Sequence, residues 1–285
     1  MTKYLIAGGD SLIGSHLARR LAEKGEVAST TRRPGHPERI FLDLMTGDTD
    51  AACATKADVA FVCAAMTNIQ SCEADPLASR KINVTETVRL VERLVGEGSF
   101  VVFLSSNTVF DGQTPFPDED APCSPTTEYG RQKRVAEEQI LGESGSRERV
   151  AVVRLSKVVA PANGMTADFL RRLRQGVPCP AFADLFLCPA SLAYVGAGLA
   201  VVAAARSPGI FHLSGADEMS YAGFARHLAG RVGADPALVV PGNSAEAGAS
   251  VLFRPDHPAL GMARTRRLPG LVPEQTEQML NALES

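Results

Sequence analysis

The chain has 285 residues, 45% of them hydrophobic and 21% charged, with a net charge of −3. This length suits one large α/β domain or a nucleotide-binding core with a smaller lobe, and the even spread of both charge signs argues against a nucleic-acid partner. No apolar run is long enough to span a bilayer and the opening MTKYLIAGGD lacks the regions of a signal peptide, so a cytoplasmic protein without a membrane partner is expected.

Residues 3–8 read as a short apolar strand. Residues 12–24 read as a helix, with Leu12, Ile13, His16, Leu17 and Leu21 at helical spacing and Gly25 expected to close it. Strands follow at 27–31, 39–42 and 58–64, the last with the continuous apolar character of a strand buried on both faces. A long helix is expected over 77–95, a strand over 100–105, a helix over 126–141 and a sixth strand over 149–155. Strand–helix alternation of this kind predicts a Rossmann-type, doubly wound parallel sheet with helices on both faces. Beyond about residue 156 the pattern loosens. Helices are expected at 166–175, 192–206, 220–233 and 274–284, with a strand at 209–213 and an irregular stretch rich in Pro, Gly and Ala over 234–272. The expected organisation is a nucleotide-binding core over 1–160 and a smaller substrate-binding lobe over 161–285, with 192–215 returning to the core.

The first turn, Gly8-Gly9-Asp10-Ser11-Leu12-Ile13-Gly14, follows a strand and opens a helix, which is the setting a dinucleotide site requires. Gly8 permits the tight turn, Gly14 permits close helix packing, and the helix N-terminus faces a pyrophosphate. Taken alone, the turn favours nucleotide binding only slightly over an ordinary strand–helix connection. The second strand ends in Thr30-Thr31-Arg32-Arg33 with no acid at its tip, which favours NADP, its phosphate met by Arg32 and Arg33; NAD stays open as the alternative. Asp43 and Leu44, after the third strand, are placed to touch the adenine.

Tyr129 and Lys133 stand four residues apart in a helical segment and share one face. A nearby ammonium lowers a tyrosine's pKa and makes it a usable acid near neutrality. The fifth strand ends in Ser105-Ser106-Asn107, at the sheet edge where ligands bind in such folds. A lone Y-x-x-x-K is common by chance; its agreement with the glycine turn and the strand-end serines is not. The six cysteines (53, 63, 72, 123, 179 and 188) form no C-x-x-C pair and are expected to be reduced. The five histidines form no ligand-like pair, so no metal is expected, and His16 and His212 read as structural.

At these residues the chain resembles an extended short-chain dehydrogenase/reductase, over roughly residues 3–215, and within that superfamily the dTDP-4-dehydrorhamnose reductase branch. LSSNTVFDG at 104–112 is similar to that branch's S-T-D-Y-V-F-D-G, and PCSPTTEYGRQK at 122–133 fits its P-x-x-P-x-x-x-Y-G-x-x-K. Ala64-Ala65-Met66-Thr67, Asn83-Val84, FHLSG at 211–215 and Arg254-Pro255 are similar to further signals of the branch. The resemblance implies a catalytic set of Ser106, Tyr129 and Lys133 and a cofactor site that adds Ala64, Ala65, Thr67 and Asn83 to Gly8, Ser11, Leu12, Ile13 and Gly14, with Tyr129 and Lys133 also touching the cofactor. It puts Asn107 and Thr108 on the substrate, together with Asp184 and the run 185–189. Ser11 departs from the middle Gly of the family turn, and Asn107-Thr108 from the branch's Asp-Tyr. The implied activity is NADPH-dependent reduction of a nucleotide-linked 4-keto-6-deoxy sugar by a homodimer-forming class of protein. The alternatives are an epimerase or dehydratase that retains NAD, against which Asn107 in place of an acid speaks, and a non-catalytic, cofactor-binding regulatory subunit.

Overall fold

The computed structural model describes residues 1–142, 147–162 and 164–284. The first half alternates as expected: β1 (Thr2–Ala7), α1 (Leu12–Ala22), β2 (Gly25–Thr31), β3 (Ile40–Phe41), α2 (Asp50–Cys53), β4 (Val59–Val62), α3 (Ile69–Ala74), α4 (Pro76–Arg80), a π-helical segment (Lys81–Glu86), α5 (Thr87–Gly96), β5 (Phe100–Ser106), α6 (Glu128–Gly142) and β6 (Val150–Leu155). The second half adds β7 (Lys157–Val159), α7 (Gly164–Arg174), β8 (Cys179–Phe182), β9 (Phe186–Leu187), β10 (Pro189–Ser191), α8 (Leu192–Ala205), β11 (Gly209–Leu213), β12 (Met219–Ser220), α9 (Tyr221–Arg231), β13 (Val239–Gly242) and α10 (Thr276–Ala282). Seven strands form one sheet in the order β11-β6-β5-β4-β1-β2-β3, parallel at every pairing. The chain reverses direction across the sheet between β1 and β4, which opens the ligand crevice at the carboxyl ends of those strands.

Strand periodicity sorts the core into two layers. Leu5 and Ala7 of β1, Ala60 and Val62 of β4, and Val101 and Phe103 of β5 pack with Leu90, Val91 and Leu94 of α5 and Ile140 of α6. Their alternate neighbours Ile6, Phe61, Val102 and Val153 pack with Leu17 and Leu21 of α1 and Val195, Leu199 and Val202 of α8. His16 lies between α1 and α8, against Gly196, where a side chain would strike its ring. A separate core joins α7, α9 and α10 through Phe169, Leu173, Phe224, Leu228 and Met279. Three small two-stranded sheets, β10-β7, β12-β9 and β13-β8, tie this lobe together.

Three local expectations are corrected. Gly25 does not end α1: the helix stops at Glu23, whose amide bonds the Leu21 carbonyl, and Gly25 already pairs with Thr2 as the first residue of β2. The third strand shrinks to two paired residues. The helix expected over 77–95 is interrupted by the π turn at Lys81–Glu86. An extra residue in a helical turn leaves no mark on apolar spacing, and such insertions gather at functional sites. Here the insertion turns Asn83 inward, fully buried.

A buried polar network sews the last segment to the sheet. The Arg154 guanidinium on β6 meets Glu137 of α6 at 2.7 Å, both almost fully buried. Glu119 accepts from the amides of Arg264 and Thr265 and from the Thr265 hydroxyl; these bonds outweigh burial and hold its pKa below the usual value. His212 bonds the Gly261 carbonyl at 2.7 Å, and burial together with Arg154 pulls its pKa down to about 4, so the ring is neutral. That is the structural role expected of it. Removing one partner of a pair such as Arg154–Glu137 costs about 3–5 kcal/mol, because the other charge is stranded.

Candidate active site

The glycine turn has the expected shape for physical reasons visible atom by atom. Gly8 has φ +93°, and a side chain there would collide with the Ala64 backbone. A Cβ on Gly14 would stand 2.2 Å from the Gly8 carbonyl oxygen. Ser11 is the N-cap of α1: its hydroxyl accepts from the Gly14 amide at 3.0 Å and donates to the Gly8 carbonyl at 2.7 Å. The departure from glycine at this position is therefore absorbed by capping. The remaining first-turn amides have no intrahelical partner, which is the usual provision for an anion.

Gly8 and Ser11 line a cleft of about 370 Å³ with Arg32, Asp43, Leu44, Ala64, Ala65 and Thr67. Those expected cofactor residues are brought together. Ile13 lines the adjoining cleft described below, while Leu12 lines neither. Arg33 also lines neither; it is exposed beside the turn, and its amide bonds the Thr31 hydroxyl. Asn83 is corrected as well. Its side chain accepts from the Met66 amide, donates to the Met66 carbonyl and to Gln132, and lies outside the cleft. It holds the 64–67 loop in position and does not line the space a cofactor would fill.

At this end the sequence reading missed the Asp10–Arg39 pair. Asp10 lines the cleft and is bonded by the Thr31 hydroxyl and by Arg39, each at 2.5 Å. The Thr31 bond, helped by the Arg39 and Arg33 charges, outweighs the opposing effect of burial and holds Asp10 below its ordinary pKa. Asp10 stood inside the glycine turn; only the position of Arg39 across from it was invisible in the sequence.

The second cleft, about 530 Å³, shares Cys63, Ala65 and Thr67 with the first and so continues it along the sheet edge. Ser106, Asn107, Thr108, Tyr129 and Lys133 all line it. Thr127 caps α6 through the Gly130 amide, and Glu73 accepts from the Glu128 amide. Gly130 lets α6 approach the turn after β5: a Cβ there would stand 2.1 Å from the Thr108 carbonyl oxygen. This explains why a glycine follows the tyrosine.

Lys133 is buried, donates to the Leu104 carbonyl at 2.9 Å and lies 4.5 Å from the Phe103 ring centroid. Burial lowers its pKa to about 8. Its ammonium is 5.9 Å from the centre of the Tyr129 ring. Contrary to expectation, Tyr129 is not acidified by this neighbour. Burial pushes its pKa up, and the nearby Cys72 thiol adds to the effect. The phenol is held protonated. The Ser106 hydroxyl accepts from the Thr108 amide and hydroxyl at 3.2 and 3.1 Å, and its own proton has only a long 3.5 Å contact to Asn107. Asn107 donates to the Pro258 carbonyl at 2.9 Å, anchoring the late loop over the cleft.

Asp184 does not line the cleft. It accepts from the Ser244 amide and hydroxyl and from Arg254, and these partners keep its pKa low. It is the next residues, Leu185, Phe186 and Leu187, that line the wall, together with Tyr221, Arg254 and Lys157. Lys157 had no signal in the sequence, since it reads as one polar residue after a strand. Among the described residues there is no group of His, Cys, Asp and Glu able to hold a metal ion, and no helix is long and apolar enough to cross a membrane.

The family model described as "RmlD substrate binding domain" matches residues 2–284. A dTDP-4-dehydrorhamnose reductase of Sinorhizobium fredii is 27% identical over 225 residues, covering 72% of this chain and 75% of the relative. A methionine adenosyltransferase 2 subunit beta of Xenopus tropicalis is 28% identical over 160 residues, covering 54% and 46%. The crystal structure of a dTDP-4-dehydrorhamnose reductase from Bacillus anthracis in complex with NADP superposes with a TM-score of 0.87 at 19% identity, covering 99% of this chain and 97% of that one, and so shares the fold.

Proposed function

Because the chain belongs to the RmlD substrate binding domain family, we propose that it is an NADPH-dependent reductase of a nucleotide-linked keto-deoxy sugar, of the dTDP-4-dehydrorhamnose type, with Tyr129 as general acid. The observation that carries this reading is the convergence of Ser106, Tyr129 and Lys133 on a cleft that runs on to the glycine turn. The reductase names of relatives such as that of Sinorhizobium fredii support it.

The residues present fit a dinucleotide. A Cβ at Gly8 or Gly14 would clash, α1 offers its N-terminus, and the two clefts are continuous. The cofactor would supply hydride to the keto carbon. Gly8, Ser11 and the first-turn amides would hold the pyrophosphate, Arg32 the 2′-phosphate, Asp43 and Leu44 the adenine side, and Lys133 the nicotinamide ribose. Tyr129 gives its proton to the carbonyl oxygen as charge develops there; a phenol kept protonated by burial is still more acidic than the alcohol that forms. Ser106 has both acceptor sites engaged by Thr108, so its proton is free to exchange the long Asn107 contact for the substrate oxygen.

Purified protein mixed with NADPH and dTDP-4-dehydrorhamnose is expected to consume the reduced cofactor. No loss of its absorbance with this or related keto-sugar nucleotides would sink the proposal. The likeness to a methionine adenosyltransferase subunit favours a second reading, a cofactor-binding regulatory subunit. Cofactor binding without turnover, together with co-purification of an enzyme, would select it.

A further inference from the structure

The reaction cleft is lined by three cations, Lys133, Lys157 and Arg254, and by no carboxylate among the described residues. Two of the three are engaged: Lys133 donates to the Leu104 carbonyl, and Arg254 pairs with Asp184 at 2.9 Å. Lys157 has neither an ion pair nor a side-chain hydrogen bond among the described residues. Its backbone is fixed, with its amide bonded to the Cys188 carbonyl and its strand paired with β10. Leu155 stands beside Ser106 in the β5–β6 ladder. Lys157 therefore starts two residues, about 6–7 Å of extended chain, beyond the serine's neighbour. The side chain is exposed on the cleft wall, and the surrounding protein shifts its pKa downward. An ammonium that lines a cleft without any carboxylate and has no partner of its own is placed to take an anionic oxygen of a ligand.

We propose that Lys157 binds an anionic oxygen of the sugar-nucleotide substrate beside the reaction centre. This rests on the reductase reading and adds to it the residue that reads substrate charge. The oxygen belongs either to the nucleotide diphosphate or to a carboxylate on the sugar. Isothermal titration of the NADP-loaded protein with dTDP-glucose and with dTDP-glucuronate distinguishes the two. If the diphosphate is bound, Lys157→Met weakens both ligands by about 10- to 100-fold. If a sugar carboxylate is bound, only dTDP-glucuronate is weakened, and the unaltered protein prefers it. In either case Lys157→Arg restores much of the affinity and NADPH affinity stays the same. Binding of both ligands by Lys157→Met within twofold of the unaltered protein overturns the proposal, as does an equal loss of NADPH affinity. If the unaltered protein binds neither ligand, the reductase reading itself fails and takes this proposal with it.

Discussion

The two ends of the long cleft are built by opposite means. At the Tyr129 end the functional groups are buried or half-buried and fixed by uncharged partners: Lys133 by the Leu104 carbonyl, Ser106 by Thr108, and α6 by close approach at Gly130. At the Arg32 end the groups are exposed: Asp10 is held by the Arg39 charge and the Thr31 hydroxyl, and Arg32 lines the cleft with its side chain exposed. Burial gives fixed geometry and large pKa shifts; exposed charge gives attraction that salt can screen. Rate should therefore be governed at the first end and cofactor choice at the second.

The largest effect expected is at Tyr129. Tyr129→Phe keeps the ring and removes the proton, so turnover should fall about 10³-fold, within the usual range for a lost general acid. NADPH affinity should change little. Full activity in this variant would remove the contrast between the ends, because the buried end would then hold no chemistry.

Lys133 gives the next largest effect, read as stability. Burial lowers its pKa from the ordinary 10.5 to about 8. Below pH 8 both folded and unfolded chains carry the proton, and the cost of burying the charge is fully present. Between pH 8 and 10.5 the folded protein has lost the proton while the unfolded chain keeps it, so this cost fades and the Lys133 contribution to stability rises with pH. Lys133→Met lacks this term. Its stability relative to the unaltered protein should thus fall by up to about 3 kcal/mol across that window. Denaturant melts at pH 7, 9 and 10.5 check it, and parallel curves for the two proteins would show that burial is not what sets Lys133 apart.

How far each end could be read in the sequence follows from the same contrast. The sheet was legible because two-sided burial writes continuous apolar runs, as in Val59–Val62. The reaction end was legible because α6 carries Tyr129 and Lys133 one helical turn apart and β5 ends in serines. What the sequence could not carry was anything set by a partner distant along the chain. Asn83 looked like a ligand-facing residue because nothing local reveals a π turn or a bond to Gln132, 49 residues away. Asp184 looked like a substrate contact because its partners, Ser244 and Arg254, lie 60 and 70 residues on. The Arg39–Asp10 pair spans 29 residues. The acidity of Tyr129 was hidden for a related reason: helical spacing brings Lys133 near, but it does not show how deeply the assembled fold buries the phenol.

The smallest effects fall on the two arginines, and they separate lining the cleft from merely standing near it. Arg32→Ala should weaken NADPH about tenfold at low salt and leave NADH nearly untouched, since only the former presents a 2′-phosphate to Arg32. Because Arg32 is exposed, its advantage should shrink as salt rises toward a Debye length of about 8 Å and below. Arg33→Ala should change NADPH affinity by less than about twofold, because Arg33 is exposed, does not line the cleft and acts on it only through its charge on Asp10. Fluorescence titration of both nucleotides against both variants at two salt concentrations reads all of this. Equal losses at Arg32 and Arg33 would mean that the ribose end senses diffuse positive charge. A loss at Arg32 that salt does not diminish would mean that this end, like the other, works by close and desolvated contact.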